Sequence, residues 1–122
     1  RAPVDRNRFE AMEQRIKTEH WVHAHLRRCA IEAVPAFVIR HGDNERGMVL
    51  LKINTLGNGC KVLIQARDVE GKLGWMAALK GELVDERDAD EYIARQTRND
   101  PDLWVIEIED REGRRWFDGD EI

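Results

Sequence analysis

The sequence predicts an α+β domain: an antiparallel meander sheet of four to six strands, an N-terminal helix packed on one face, and a second short helix before the last hairpin. Three observations predict it. A stripe at helical spacing runs through Val22, Leu26, Cys29, Ala30 and Ala33 and stops short of Pro35. From Ala36 to Ala78, short runs of alternating residues are separated by glycine-bearing loops of hairpin length. The stretch Asn99 to Arg114 then compresses a helix stop, a two-faced strand and a turn into one segment. Residues 1–14 read as an N-terminal extension and residues 15–122 as a single domain. Within the extension, Phe9 and Met12 form, with Ile16, a shorter apolar stripe rotated away from the main one.

After the first helix, Phe37, Ile39 and His41 alternate with Ala36, Val38 and Arg40, and the loop Gly42–Gly47 holds four polar residues between its glycines. Val49, Leu51 and Ile53 alternate with Met48, Leu50 and Lys52, and the turn Leu56-Gly57-Asn58-Gly59 reverses the chain into Val62, Ile64 and Ala66. Setting Ile53 opposite Val62 brings all these apolar residues to one side, whereas a slip of one residue buries Lys61 and Gln65. Val49, Leu51, Ile53, Val62 and Ile64 are therefore expected to pack against Val22, Leu26 and Ala30. A tight reversal at Val69-Glu70-Gly71 leads to a strand from Leu73 to Ala78.

Asp85 is placed to cap the second helix, whose first turn is acidic (Glu86, Asp88) and whose last carries Arg95 and Arg98, as the helix dipole favours. Ala89, Tyr92 and Ile93 give its inward face, and Pro101 ends it. In the final strand Trp104, Ile106 and Ile108 alternate with Val105, Glu107 and Glu109. Arg111-Glu112-Gly113 reads as a hairpin loop that sets Glu109 opposite Arg115 and Ile108 opposite Trp116.

Composition narrows the function classes. With 122 residues, 42% of them hydrophobic and 36% charged, the chain can bury a core beneath a well-solvated surface. The net charge of -4 hides an asymmetry: residues 1–61 carry 11 Lys and Arg against 7 Asp and Glu, and residues 62–122 carry 9 against 17. Duplex nucleic acid is a poor partner for an acidic domain, because phosphate neutralisation supplies most of that affinity. No apolar run spans a membrane and no signal-peptide pattern opens the chain. Cys29 and Cys60 sit in apolar surroundings, so a reduced, cytoplasmic protein is expected.

The candidate chemistry competes with plain structural roles. His20, His23 and His25 cluster on the first helix; His20 and His23 lie about 60° apart around it and are the weak candidates for a metal, while His25 points away. Glu107 and Glu109 stand about 7 Å apart on one strand face, a spacing compatible with acid/base work, but nothing splits their environments. Arg27 and Arg28, with Arg98, are a candidate anion clamp or, more simply, partners for acidic residues such as Asp100 or Asp102. The chain has no serine, which removes a Ser-His-Asp nucleophile, and neither phosphate-binding glycine pattern occurs. Cys29 lies on an apolar stripe, the setting of a packing residue.

The run Arg15-Ile16-Lys17-Thr18-Glu19-His20-Trp21-Val22 with Arg27-Arg28, the turn Arg40-His41-Gly42-Asp43, Gly47 before the strand that holds Lys52, and Asn99-Asp100-Pro101-Asp102-Leu103-Trp104 followed by Glu107-Ile108-Glu109-Asp110 resemble the small alphaproteobacterial domain-of-unknown-function family 1491. The resemblance extends from about Arg15 to Phe117 and is most specific at Asp-Pro-Asp-Leu-Trp. It implies a small cytoplasmic bacterial protein and supplies no activity.

The expectation is a non-enzymatic protein-interaction module, with self-association as one form of that role and with no cofactor. The alternative is a small metal- or anion-dependent enzyme built on His20, His23 and a carboxylate. Four tryptophans favour an interaction surface. The residues set apart for it are Trp21, Arg27, Arg28, Arg98, Asp100, Trp104, Glu107 and Glu109. Of the two tryptophans, Trp104 is expected to anchor the core and Trp21, off the main stripe, to serve the partner.

Overall fold

The computed structural model describes residues 16–122, so the expected extension over residues 1–14, with Phe9 and Met12, lies outside the described residues. Helix α1 spans Thr18–Ile31, strand β1 Ala36–Arg40, β2 Val49–Asn54, β3 Cys60–Arg67 and β4 Leu73–Ala77. A short 3-10 turn at Leu79–Gly81 leads to helix α2, Glu86–Asn99, followed by β5, Trp104–Glu109, and the two-residue β6, Asp120–Glu121. The α+β class is as the sequence predicts. The second helix is not short: at 14 residues it matches the first.

The sheet is mixed rather than an antiparallel meander. Its order is β1-β5-β2-β3-β4-β6. Strands β2, β3 and β4 do form a meander, but β5 inserts between β1 and β2, antiparallel to the first and parallel to the second. The return through β3, β4 and α2 is long enough to make the parallel pairing that short loops alone forbid. With both edges of β5 occupied, the segment after it cannot fold back as a hairpin partner. The turn at Asp110–Gly113 forms, with Gly113 at a φ of 71°, yet the chain then crosses to the far side, where β6 pairs in parallel with β4.

Both faces of the sheet are covered, which corrects the expected register. Leu50 pairs with Ile64, Leu51 with Leu63, Lys52 with Val62 and Ile53 with Lys61, one residue away from the pairing that gathers every apolar side chain on one face. The loop fixes this register by closing on Thr55, whose N–H and hydroxyl both donate to Gly59 O at 3.0 and 2.7 Å. On one face Val49, Leu51, Ile53, Leu63, Trp75, Trp104, Ile106 and Ile108 pack with Val22, Cys29 and Phe117. On the other, Leu50, Val62 and Val105 pack with Ala89, Ile93 and Leu103, and Ile64 borders them. Val62 and Ile64 thus belong to the α2 layer rather than facing Val22 and Leu26. A strand buried on both sides reads as a continuous apolar run, and Val49 to Ile53 is one apart from Lys52.

Helix α1 keeps part of the expected stripe: Val22 and Cys29 are buried and Leu26 packs half-buried on the same core, but His25 joins them, and Ala30 and Ala33 are exposed. Helix α2 begins where Asp85 suggests, although that side chain makes no capping hydrogen bond; the cap residue supplies its backbone carbonyl to Ala89 N–H.

Candidate functional site

The motifs shared by the Arg40–Gly47 loop and the Asp100–Trp104 segment meet in space as one latch. Asp43 N–H donates to Asp102 O at 3.0 Å, and the Trp104 indole N–H donates to Asp43 O at 2.8 Å. The Arg40 guanidinium donates to Pro101 O and Leu103 O, and His41 packs on the Trp104 ring at a tilt of 40°, with centroids 4.0 Å apart. Gly42 and Gly47 are required by this approach: a Cβ on either would run into Asp102 O and would lie 2.6 or 2.8 Å from Trp104 Cδ1. Trp104 is fully buried, so it anchors the core and offers no surface. Asp100 serves the turn, accepting Asp102 N–H at 3.1 Å.

Above the latch the same loop forms one wall of a cleft of about 510 Å³. The N-terminal turn of α1 supplies Thr18 and Trp21, β3 supplies Gln65 and Arg67, the β3–β4 hairpin supplies Lys72, β4 supplies Trp75, and the loop adds Glu45 and Arg46. Trp21 is half-buried and packs on Trp75, Phe117 and His25, with centroids at 6.3, 5.6 and 4.2 Å. His25, fully in the core, donates from Nδ1 to Trp21 O at 2.7 Å, because a carbonyl can only accept. Its buried Nε2 has no hydrogen bond among the described residues but lies 3.4 Å from the Asp118 carboxylate.

The arginines divide between the two faces. Arg28 clasps Asp118 at 2.7 and 3.4 Å and donates to Trp116 O at 3.1 Å. The hydrogen bond from Arg28 holds the Asp118 carboxyl below the usual carboxylate range. The pairing with the acidic second half therefore forms, but with Asp118 rather than Asp100 or Asp102. Arg98 sits on α2, across the sheet from α1, so it cannot join Arg27 and Arg28 in one clamp. His20 and His23 are exposed, His20 lies 3.7 Å from Glu19, and no third ligating side chain converges on them among the described residues.

Glu107 and Glu109 are separated in role. Glu107 lies 3.2 Å from the Lys52 ammonium, which also meets Glu86 at 2.7 Å and Asp90 at 2.8 Å. Burial works against the charged Lys52, but hydrogen bonds to Asp90 and Glu86 and the field of Glu107 outweigh it and hold the ammonium above its ordinary range. A lysine locked in this way is a structural cation and not a nucleophile or base. The expected Glu109–Arg115 pair does not form; Arg115 donates to Phe117 O and Gly119 O and approaches Glu121 at 3.6 Å. Burial pushes the Cys29 and Cys60 thiols up, which leaves them unactivated.

A second surface lies at the sheet edge. Strand β1 is an outer strand, and Phe37, Val38 and Ile39 are 49, 39 and 58% exposed. Sequence reasoning did not single out this edge, nor the cleft residues Arg46, Gln65, Arg67, Lys72 and Trp75. The signal for Gln65 and Arg67 was present in the alternation Leu63, Gln65, Arg67 along one strand face. Arg46 and Lys72, on turns, carried none.

A family model described as a protein of unknown function (DUF1491) matches residues 16–118. The crystal structure of a DUF1491 family protein from Caulobacter crescentus CB15 is similar over 87% of this chain and 98% of its own, at 34% identity and a TM-score of 0.78. An NMR structure of a DUF1491 family protein from the same organism gives 34% identity and a TM-score of 0.77 over 88 and 97% of the two chains. The solution structure of protein Atu0922 from A. tumefaciens shares the fold at 23% identity, with a TM-score of 0.70 over 84 and 92%. No curated protein matches the chain. The family match includes both latch segments, and the chain belongs to the DUF1491 family.

Proposed function

We propose that this protein is a non-enzymatic interaction module of the cytoplasm that associates with a second copy of itself through β1. The observation that carries this reading is the outer edge of β1, where three successive apolar side chains, Phe37, Val38 and Ile39, are exposed. Edge strands are ordinarily blunted by outward charges, proline or a bulge; Ala36 to Ile39 has no charge and no proline, and the register shift of β1 falls at its end, between Val38 and Arg40. The one charged residue of the strand, Arg40, is turned back onto Pro101 O and Leu103 O. An antiparallel strand edge is its own complement, since a two-fold axis through its regular part pairs free N–H groups with carbonyls of the other copy. A second copy therefore fits this edge without any further specificity. The free, buried thiols of Cys29 and Cys60 suit a reducing compartment.

Chemistry has less support. The locked Lys52, the unactivated cysteines and the separate roles of Glu107 and Glu109 leave no paired acid and base among the described residues. The test is sedimentation across a wide concentration range on the wild type and on Ile39→Lys. The expected result is a reversible dimer for the wild type and a monomer of unchanged melting temperature for the variant. A wild type that stays monomeric at millimolar concentration, or a variant that still dimerises, overturns the reading.

A further inference from the structure

The cleft beside Trp21 carries a second, independent inference, distinct from the β1 edge. Gln65 is only 8% exposed, and its Oε1 accepts the Val49 N–H at 3.1 Å. That bond fixes which way the amide points. Its Nε2 has no hydrogen-bond partner among the described residues, and Gln65 lines the cleft, so the amide donor is open to whatever occupies the cleft.

Three basic side chains, Arg46, Arg67 and Lys72, line the cleft with this donor. Arg67 follows Gln65 on the same strand face, about 7 Å along. Its guanidinium engages one backbone oxygen, Gly71 O at 2.7 Å, leaving most of the fork unused. Arg46 makes no ion pair among the described residues, and Lys72 meets only the exposed Asp120 at 3.5 Å. The two carboxylates in the lining are already answered from outside it: Glu45 by Lys17 at 3.9 Å and Asp118 by Arg28 at 2.7 Å. An opening rich in donors, with its acceptors engaged, selects an anion. Trp21 and Leu73, each half-buried, and Trp75 give the rest of the wall an apolar, partly aromatic character. A volume of about 510 Å³ falls within the roughly 300–1,000 Å³ of small-molecule sites.

We propose that this cleft binds a small organic anion, a carboxylate or phosphate monoester on a flat apolar body. The anionic head sits between the Gln65 amide and the Arg67 guanidinium, with Arg46 and Lys72 at the mouth. The body lies against Trp21. No bond is made or broken, and the site is a binding site only.

The experiment is an NMR titration of the full chain with phenylacetate, with phenyl phosphate and with neutral 2-phenylethanol. The Trp21 and Trp75 indole N–H and the Gln65 side-chain amide should shift on addition of at least one of the anions, while the Trp104 indole, sealed in the latch, stays in place. The more tightly bound anion reveals whether the head is a carboxylate or a phosphate. The neutral analogue should bind at least tenfold more weakly. Arg67→Gln, a change at an exposed side chain, should weaken the anion by tenfold or more, and Arg98→Gln on the opposite face should leave it unchanged. If neither anion moves these signals at millimolar concentration, the proposal fails. Equal binding of the neutral analogue, or a correctly folded Arg67→Gln that binds like the wild type, overturns it as well.

Discussion

Trp104 illustrates how a single residue divides between what its neighbours in sequence say and what its neighbours in space do. Its position two residues before Ile106 and four before Ile108 places it on an apolar strand face, and it is fully buried there. The bond from its indole N–H to Asp43 O joins residues 61 apart in the chain, which periodicity cannot reveal. Trp104→Ala should lower stability by about 3–5 kcal/mol, read by urea or thermal unfolding, because it removes a buried ring and the shorter of the two hydrogen bonds to the Asp43 carbonyl, leaving the one from Gly47 N–H at 3.2 Å. A loss below about 1 kcal/mol would mean that the latch does not anchor the core. Lys52 shows the opposite case. A lysine on an alternating strand reads as solvent-facing, yet here it is buried because three carboxylates from two other elements converge on it. Without Glu86, Asp90 and Glu107 in view, its burial is invisible.

Among elements, the turns were the most legible and the pairings the least. Asp110 organises the turn after β5: it takes Arg114 in a two-pronged pair at 2.9 and 3.1 Å, the Arg114 N–H at 2.7 Å and the Trp116 indole at 3.3 Å. The Arg114 hydrogen bond, against the opposing effect of burial, sets the Asp110 carboxyl at about 2. An unfolded aspartate titrates near about 3.9. A depressed carboxylate stabilises the fold above the unfolded value, and the contribution disappears as the pH falls through the folded one. Lowering the pH from about 4 to about 2 should therefore remove roughly 1–2 kcal/mol through this group, less than the full linkage because the Arg114 side chain is 56% exposed and screened. Melting temperatures across that window check it: Asp110→Asn should be less stable at neutral pH and should lose less on acidification. A wild-type slope equal to that of the variant would show that the pair contributes nothing. The glycine and aspartate pattern announced this turn but not the path of the chain beyond it, since the hairpin requires a free edge on β5 and both edges are occupied.

At the scale of the whole molecule, the two central strands β2 and β5 are covered by a helix layer on each side and flanked by strands along both edges. Their amides should exchange with solvent most slowly, near the rate set by global unfolding, while the two-residue β6 should exchange much faster. Hydrogen-exchange NMR at neutral pH measures this directly. Rapid exchange of Leu51 or Ile106 would show that the parallel pairing is not the stable centre of the fold. That pairing is also the feature the hairpin-length loops argued against, since it is made by a return through β3, β4 and α2 rather than by any one loop.

The sequence by itself determined where the helices stop, where the chain turns, which residues of β5 face a core and which family the chain resembles. Those properties depend on proline and glycine backbone limits and on side-chain periods within one segment, and each is settled by a few adjacent residues. Only the tertiary structure decided the register of β2 with β3, the insertion of β5, the burial of Lys52, His25 and Gln65, and the cleft that gathers Trp21, Arg46, Arg67 and Lys72 from four parts of the chain. The physical reason is that burial is a property of layers. Once α2 covers the second face, a one-residue slip no longer exposes apolar side chains, and polar groups such as Lys52 can sit inside wherever distant partners meet them.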